Sequence, residues 1–157
     1  MSTIITQPIT ETNWLDALEL DVYPHQRTFV PTVALSLAKA YIRPNGFCYD
    51  PFGIYRSRLT GKQLIGFYSF IHLPDDSSFC YLGGFFIDKR FQGYGYGKAA
   101  LQRFVEFVRH DYPHCQEILL SVHPENRIAA QLYASYDFAK TGKWLEDEEV
   151  MWLVLAD

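Results

Sequence analysis

The chain has 157 residues, 48% of them apolar and 17% aromatic, which is enough for one domain that buries about 70% of its unfolded surface. Charge, Gly or Pro interrupts every apolar run before the roughly 20 residues that a membrane span requires, so no membrane partner is expected. Eighteen acidic against fourteen basic residues give a net charge of −4, which disfavours nucleic acid as a partner and suits a cationic ligand.

The opening segment "MSTIITQPIT" has neither a basic n-region nor a long apolar h-region, so a cytoplasmic location is expected. Cys48, Cys80 and Cys115 form no C-x-x-C pair, and no disulfide is expected. Composition is even from end to end, without repeat or linker, so residues 1–157 read as a single domain.

In chain order, "TIITQPI" predicts a first strand. Thr12 is the expected N-cap of a helix over "NWLDALEL", with Trp14, Leu15, Leu18 and Val22 on its inner face. A second helix, "TVALSLAKAYI", ends near Pro44 and Gly46. The period then becomes that of strands: "PFGIYRS" and "QLIGFYSFI" form an antiparallel pair, and "FCYLGGFFI" follows the turn "LPDDSS". From Gly97 a helical stripe of Leu101, Phe104, Val105 and Val108 opposes Lys98, Gln102, Glu106 and Arg109. A buried strand "EILLSV", a helix "NRIAAQLYASY" and the strands "FAKTGKWL" and "EEVMWLVL" complete a mixed α/β order, β-α-α-β-β-β-α-β-α-β-β.

Gly93, Gly95 and Gly97 lie between a buried strand and the start of a helix. A helix N-terminus offers free N–H groups and the positive end of a dipole, and bare glycines let an anion approach them. A tight connection without a ligand would need only one glycine. The spacing fits neither the dinucleotide fingerprint nor the P-loop.

What the chain has is Gln92-x-x-Gly95-x-Gly97, and this resembles the Q/R-x-x-G-x-G/A loop of the GNAT N-acetyltransferase superfamily. The resemblance extends to Phe85, Phe86 and Ile87 before the loop and to Asn126 and Tyr133 in "ENRIAAQLY" after it. It implies the GNAT fold, α/β with a mixed, mostly antiparallel central sheet of six to seven strands flanked by about four helices. It also implies acetyl-CoA as the acetyl donor. The cosubstrate would be held by the backbone of Phe85, Phe86 and Ile87, by the loop residues Gln92, Gly93, Tyr94, Gly95, Tyr96, Gly97 and Lys98, and by Asn126 and Tyr133. Seven helical residues advance about 700°, so Asn126 and Tyr133 share a face and can reach one ligand.

The segments "RTFVPTVALSLAKAY", "IGFYSF" and "EEVMW" resemble the small bacterial spermine/spermidine N-acetyltransferases, which implies a small-molecule polyamine as acceptor and allows a homodimer. Other amines (an aminoglycoside, an amino acid, a protein N-terminus) and a non-catalytic acetyl-CoA sensor are the alternatives. Two departures from the family pattern stand out: Asp137 replaces a usual Gly, and Gly83-Gly84 replaces bulkier residues.

Acetyl transfer to an amine needs an oriented thioester, a neutral amine, oxyanion stabilisation and a proton for the departing thiolate. A backbone N–H near Phe86 or Ile87 is the expected oxyanion donor. Tyr133 is the candidate catalytic acid, since a phenol of pKa ~10 still carries its proton at neutral pH; its other reading is a ring packed on the sheet. Asn126 can cap its helix, touch the ligand, or both. For the base, Glu19, Asp21, His72, Asp75, Asp76 and His123 stay open. His110 and His114 are separated from a regular helical alignment by Pro113, so no metal is expected.

Overall fold

The structure, a computed structural model, describes residues 3–155. Its elements follow the expected order: β1 (Ile4–Pro8), α1 (Trp14–Leu18), α2 (Val33–Ile42), β2 (Cys48–Arg58), β3 (Gly61–Leu73), β4 (Asp76–Ile87), α3 (Tyr96–Asp111), β5 (Glu117–Val122), α4 (Arg127–Ser135), β6 (Ala139–Leu145) and β7 (Glu148–Val154). The strands form one seven-stranded sheet in the order β1-β2-β3-β4-β5-β7-β6. Every neighbouring pair is antiparallel except β4 and β5. The expected strand number, helix number and mostly antiparallel character are those observed.

The parallel pair decides the shape of the molecule. β4 and β5 match only over Phe79–Tyr81 against Glu117–Leu119. Beyond this short ladder β4 stays on β3 while β5 follows β7, and the sheet splays open between them.

A bulge bends β4 at the opening. Phe67 faces Phe86 and Ser69 faces Gly83, so two steps along β3 answer three along β4. Gly84 takes up the extra residue at φ +57°. A Cβ there would also approach Ser36 Oγ to 3.3 Å and Pro31 Cγ to 3.4 Å, so conformation and packing both call for glycine. This is the physical content of the Gly83-Gly84 departure: the bare backbone lets α2 and its leading loop lie close over β4.

Helices cover both faces. Leu101, Phe104, Val105 and Val108 of α3 pack on Ile54, Tyr68, Phe70 and Ile118, as their helical stripe predicts. On the opposite face Ala17, Leu20, Val22 and Val33 pack on Phe67 and Phe86. The first helix differs from expectation. It has only five residues, and Ala17 is its fully buried position, while Trp14, Leu15 and Leu18 are exposed. A small residue at the contact brings this short helix flush onto the sheet, which leaves the larger side chains outside. Thr12 is not its cap either. Asn13 holds the N-cap position, and its carboxamide accepts from Thr10 N–H at 2.7 Å and donates to Pro8 O at 3.1 Å and Tyr55 Oη at 2.9 Å, tying the helix start to the sheet.

No helix among the described residues is long and apolar enough to cross a membrane. A Cβ on Gly66 of β3 would lie 2.6 Å from the Phe86 carbonyl oxygen, an atom fixed in the β3–β4 ladder and unable to retreat as a side-chain tip would. Gly66→Ala is therefore expected to cost about 1–3 kcal/mol of stability, read as a lowered urea midpoint. An unchanged midpoint would show that the ladder yields freely at this point.

Candidate active site

The splay opens into a cavity of about 380 Å³ between β4, the loop before α3, α4 and the segment joining α1 to α2. Phe85, Phe86, Ile87, Gln92, Gly93, Gly95, Tyr96, Gly97, Lys98, Asn126 and Tyr133 all line it. Tyr94 is the one expected site residue whose side chain stands apart: it is exposed and packs against the Tyr96 ring at 6.1 Å.

Strand geometry assigns the backbone donors. Asp88 N–H donates to Ile65 O at 2.7 Å, which continues the β3–β4 register as a hydrogen-bonded pair. Antiparallel alternation makes Phe67–Phe86 the next such pair, so the Phe86 peptide faces β3. The peptide groups of Phe85 and Ile87 face the splay instead. Of the two positions expected for an oxyanion donor, Ile87 is the one whose N–H points into the cavity.

The loop after β4 is held at several points. Asp88, almost fully buried, accepts from Arg90 N–H at 2.9 Å, Arg90 Nε at 2.8 Å and Asp21 N–H at 3.0 Å. Gln92 and Gln26 form a reciprocal amide pair with both bonds at 3.0 Å, and Gln92 Nε2 also donates to Ile87 O at 2.9 Å. Gln92 thus fixes the loop and strand around the cavity with its own side chain.

The three glycines differ in their reasons. Gly93 and Gly95 adopt φ +85° and +83°, and a Cβ on either would meet no atom within 4 Å, because it would project into open space. Gly97 has ordinary helical backbone, and its Cβ would lie 3.5 Å from Leu132 Cδ2. Gly95 is the N-cap of the 16-residue α3 and brings no side chain to its first-turn amides. The result is a bare concave surface at the positive end of a long helix, the shape and charge that a pyrophosphate requires.

Tyr133 closes the other end. Its ring lies 6.4 Å from Phe85 and 5.9 Å from Phe138. Its hydroxyl makes no hydrogen bond with the described residues. Burial, and then the Glu148 carboxylate, push the phenol well above its usual range, so it keeps its proton across neutral pH. Packed ring and available proton coexist in this one residue. Asn126 caps its helix, with Oδ1 accepting from Ala129 N–H at 3.4 Å, and the residue also lines the cavity.

Asp137 leaves the α4 exit intact. It sits at φ +71°, its N–H donates to Ala134 O, and Phe138 N–H donates to Tyr133 O, the paired bonds of a Schellman motif. Aspartate tolerates the left-handed backbone that glycine would take more easily.

The proposed bases fall into three places. His72, paired with Asp50 at 2.8 Å, and Asp75 and Asp76 in the β3–β4 turn lie at the end of these strands opposite Ile87. They are too far along the strands to serve the cavity. Glu19 and Asp21 line a second cavity of about 390 Å³ that shares Val22, Val30 and Phe86 with the first. Asp21 is held below the usual carboxylate range by the Val22 N–H and by Arg27. His123, at the end of β5, packs against Phe29 with ring centroids 5.4 Å apart, accepts from Glu125 N–H at Nδ1 and has Nε2 3.4 Å from Asp147 Oδ2. Sequence reasoning missed Glu148, whose Oε1 accepts from Ser121 Oγ at 2.7 Å, and Gln26. No periodicity marks either one: Gln26 reaches the cavity from the segment between α1 and α2, and Glu148 acts on Tyr133 from the start of β7 without lining the cavity. Ala129 and Leu132, also in the lining, were not singled out, although the i+3 step from Asn126 to Ala129 and again to Leu132, and the i+4 step from Ala129 to Tyr133, are the signal that could have found them. No group of three or more metal-binding side chains occurs among the described residues.

A parted sheet whose exposed strand edge meets a glycine loop at a helix N-terminus, with a buried phenol opposite, defines an acyltransferase site for a pyrophosphate-bearing donor. The family model of the acetyltransferase (GNAT) family matches residues 13–138, and the chain belongs to that family. It is an acyltransferase that uses acetyl-CoA as donor and acts on an amine. It is 28% identical over 139 residues to a spermine/spermidine N(1)-acetyltransferase of Bacillus subtilis, covering 86% of this chain and 87% of that one. Among solved structures it resembles a domain from Methanocaldococcus jannaschii, with TM-score 0.77, 16% identity and 99% and 100% of the two chains covered. It also resembles the spermidine N-acetyltransferase from Vibrio cholerae in complex with CoA and spermine, with TM-score 0.72, 16% identity and 97% and 95% covered. These likenesses of structure carry the fold.

The glycine geometry separates two variants. Gly95→Val places a branched side chain in the open space at the loop and should weaken CoA binding by more than about tenfold, or 1.4 kcal/mol, in a folded protein. Gly97→Ala makes only an ordinary contact and should leave the melting temperature within a few degrees, and CoA affinity within a few-fold, of the parent. Equal calorimetric affinities for Gly95→Val and parent would mean that these glycines serve the turn alone.

Proposed function

We propose that residues 1–157 form a single N-acetyltransferase domain that moves the acetyl group from acetyl-CoA directly to a primary amine, and that the acceptor is a polyamine such as spermidine or spermine. The observation that carries this reading is the placement of Tyr133, a buried phenol with no hydrogen-bond partner among the described residues, on the same cavity as the Ile87 peptide and the glycine loop.

The donor would be held by the loop Gln92 to Lys98 at its pyrophosphate and by the Phe85 and Ile87 peptides along its pantetheine arm. When bound, it supplies a thioester as the activated acetyl group. Ile87 N–H then faces the thioester oxygen and stabilises charge there, the backbone form of an oxyanion hole. Tyr133 Oη gives its proton to the departing sulfur. The transfer from a phenol to a thiolate is uphill by a unit or two at reference pKa values and by more here, where burial raises the phenol, and the phenol is renewed by the proton lost from the acetylated nitrogen. The direct route is supported by a lining without cysteine, serine or threonine, the side chains that most readily take an acyl group. Cys80 and Cys115, the two buried thiols, lie at the other end of β4.

The acceptor assignment has separate support. The second cavity carries Glu19 and Asp21, the latter paired with Arg27 of the same wall at 3.1 Å, and joins the first at Val22, Val30 and Phe86. Glu148 adds a carboxylate beside Tyr133, and the whole chain has net charge −4. Such surroundings favour an amine with several positive groups, and the Bacillus relative is a spermine/spermidine acetyltransferase by name. Assembly as a homodimer belongs to the same proposal.

Tyr133→Phe keeps the ring and removes the proton. It should lower kcat by roughly 10²-fold while acetyl-CoA affinity stays within a few-fold. An unchanged kcat, with chemistry rate-limiting, removes Tyr133 from the mechanism. Free-thiol release from acetyl-CoA in an amine panel tests the acceptor: spermidine and spermine should give a far higher kcat/KM than a neutral arylamine, and added salt should raise their KM. Preference for an aminoglycoside, an amino acid or a protein N-terminus would replace the polyamine but keep the reaction. Tight acetyl-CoA binding without turnover on any amine would identify a sensor.

A further inference from the structure

The narrow end of the splay, where β4 and β5 still pair, carries a feature that acetyl transfer does not use. Cys80 on β4 and Cys115 just before β5 are both buried, with their sulfur atoms 3.8 Å apart. Cys115 Sγ also lies 3.3 Å from the Glu117 carbonyl oxygen. A thiol has one proton, so a neutral Cys115 donates to Glu117 and leaves the Cys80 S–H to donate to Cys115. The hydrogen bond from Cys80 holds Cys115 below the ordinary thiol range, and the same bond, with burial, pushes Cys80 above it. The two sulfurs are thereby unequal: one is the better nucleophile and the other stays protonated.

Both thiols line a cavity of about 90 Å³, walled by Phe70, His72, Phe79 and Tyr112 among others. That is room for several water-sized molecules. A molecule of two or three heavy atoms fits it.

We propose that Cys115 and Cys80 form a peroxide-reactive dithiol that a small hydroperoxide, with hydrogen peroxide as the smallest, oxidises to a disulfide. The Cys115 thiolate attacks one peroxide oxygen, the O–O bond breaks, and the departing hydroxide takes a proton to become water, which leaves a sulfenic acid on Cys115. The Cys80 sulfur then attacks the Cys115 sulfur. The S–O bond breaks, and hydroxide leaves with the Cys80 proton as a second water. Two thiols are oxidised by two electrons and one peroxide is reduced to two waters. Forming the bond draws the sulfurs from 3.8 Å to about 2.0 Å and staples β4 to the start of β5 across a separation of 35 residues. The staple sits at the base of the opening that forms the active-site cavity, and the proposal does not depend on which amine is acetylated.

The third thiol, Cys48, is half-buried beside the Arg43 guanidinium and is best removed, so the experiment uses the full chain carrying Cys48→Ser. With about a tenfold excess of hydrogen peroxide, both remaining thiols should cease to titrate in denaturant, and the mass should fall by two hydrogen atoms. Dithiothreitol should restore both. Adding Cys80→Ser should halt the reaction at a dimedone-reactive Cys115, whereas adding Cys115→Ser should slow oxidation of Cys80 by at least about tenfold. Two thiols that still titrate after peroxide would overturn the proposal, as would a gain of oxygen in place of the loss of hydrogen, or Cys80 reacting as readily as Cys115.

Discussion

The parting of β4 from β5 is the constraint on which the rest of the molecule depends. Two parallel strands that match over only Phe79–Tyr81 and Glu117–Leu119 leave the end of β4 with peptide groups aimed at no neighbouring strand. Backbone donors and acceptors in a partly buried edge require partners, and a sheet that withholds the next strand reserves them for a ligand. The bulge at Gly84 and the handover of β5 to β7 hold the strands apart, so the opening is built into strand pairing and needs no moving element.

Around this opening the charges are sorted by position. The loop side presents the first turn of a long helix, without a side-chain cap at Gly95 and with Lys98 on the rim. The opposite side carries Glu148 with its Ser121 bond, and the adjoining cavity carries Glu19 and the Asp21–Arg27 pair. Positive potential at one end and carboxylates at the other suit an anionic donor that meets a cationic acceptor, the arrangement on which the proposed reaction relies. Tyr133 stands between them, and burial keeps its phenol neutral where a charged group would disturb both halves.

The α1–α2 segment would be an ordinary surface connection but for its bonds to the loop after β4. Gln26 pairs with Gln92, Asp21 N–H donates to Asp88, and Lys89 N–H donates to Asp21 O. Val22, Gln26, Phe29 and Val30 thereby become a fixed wall of the cavity. Several modest hydrogen bonds, each about 0.5–1.5 kcal/mol, set this wall by acting together.

By itself the sequence determined whatever is periodic or stereochemically demanding. The order of all seven strands and four helices, the α3 stripe, the glycine loop and the shared Asn126–Tyr133 face were legible because strand and helix repeats place side chains by arithmetic, and because Gly93 and Gly95 need a backbone that other residues resist. Only the tertiary structure decided how far β4 and β5 pair, that Ile87 and not Phe86 turns its N–H to the cavity, that α1 buries Ala17 instead of its large apolar residues, and that Gln26, Glu148 and the Cys80–Cys115 pair meet their partners. These are contacts between segments that stand up to 66 residues apart, fixed by sheet register and by the packing of turns, and no local pattern encodes them.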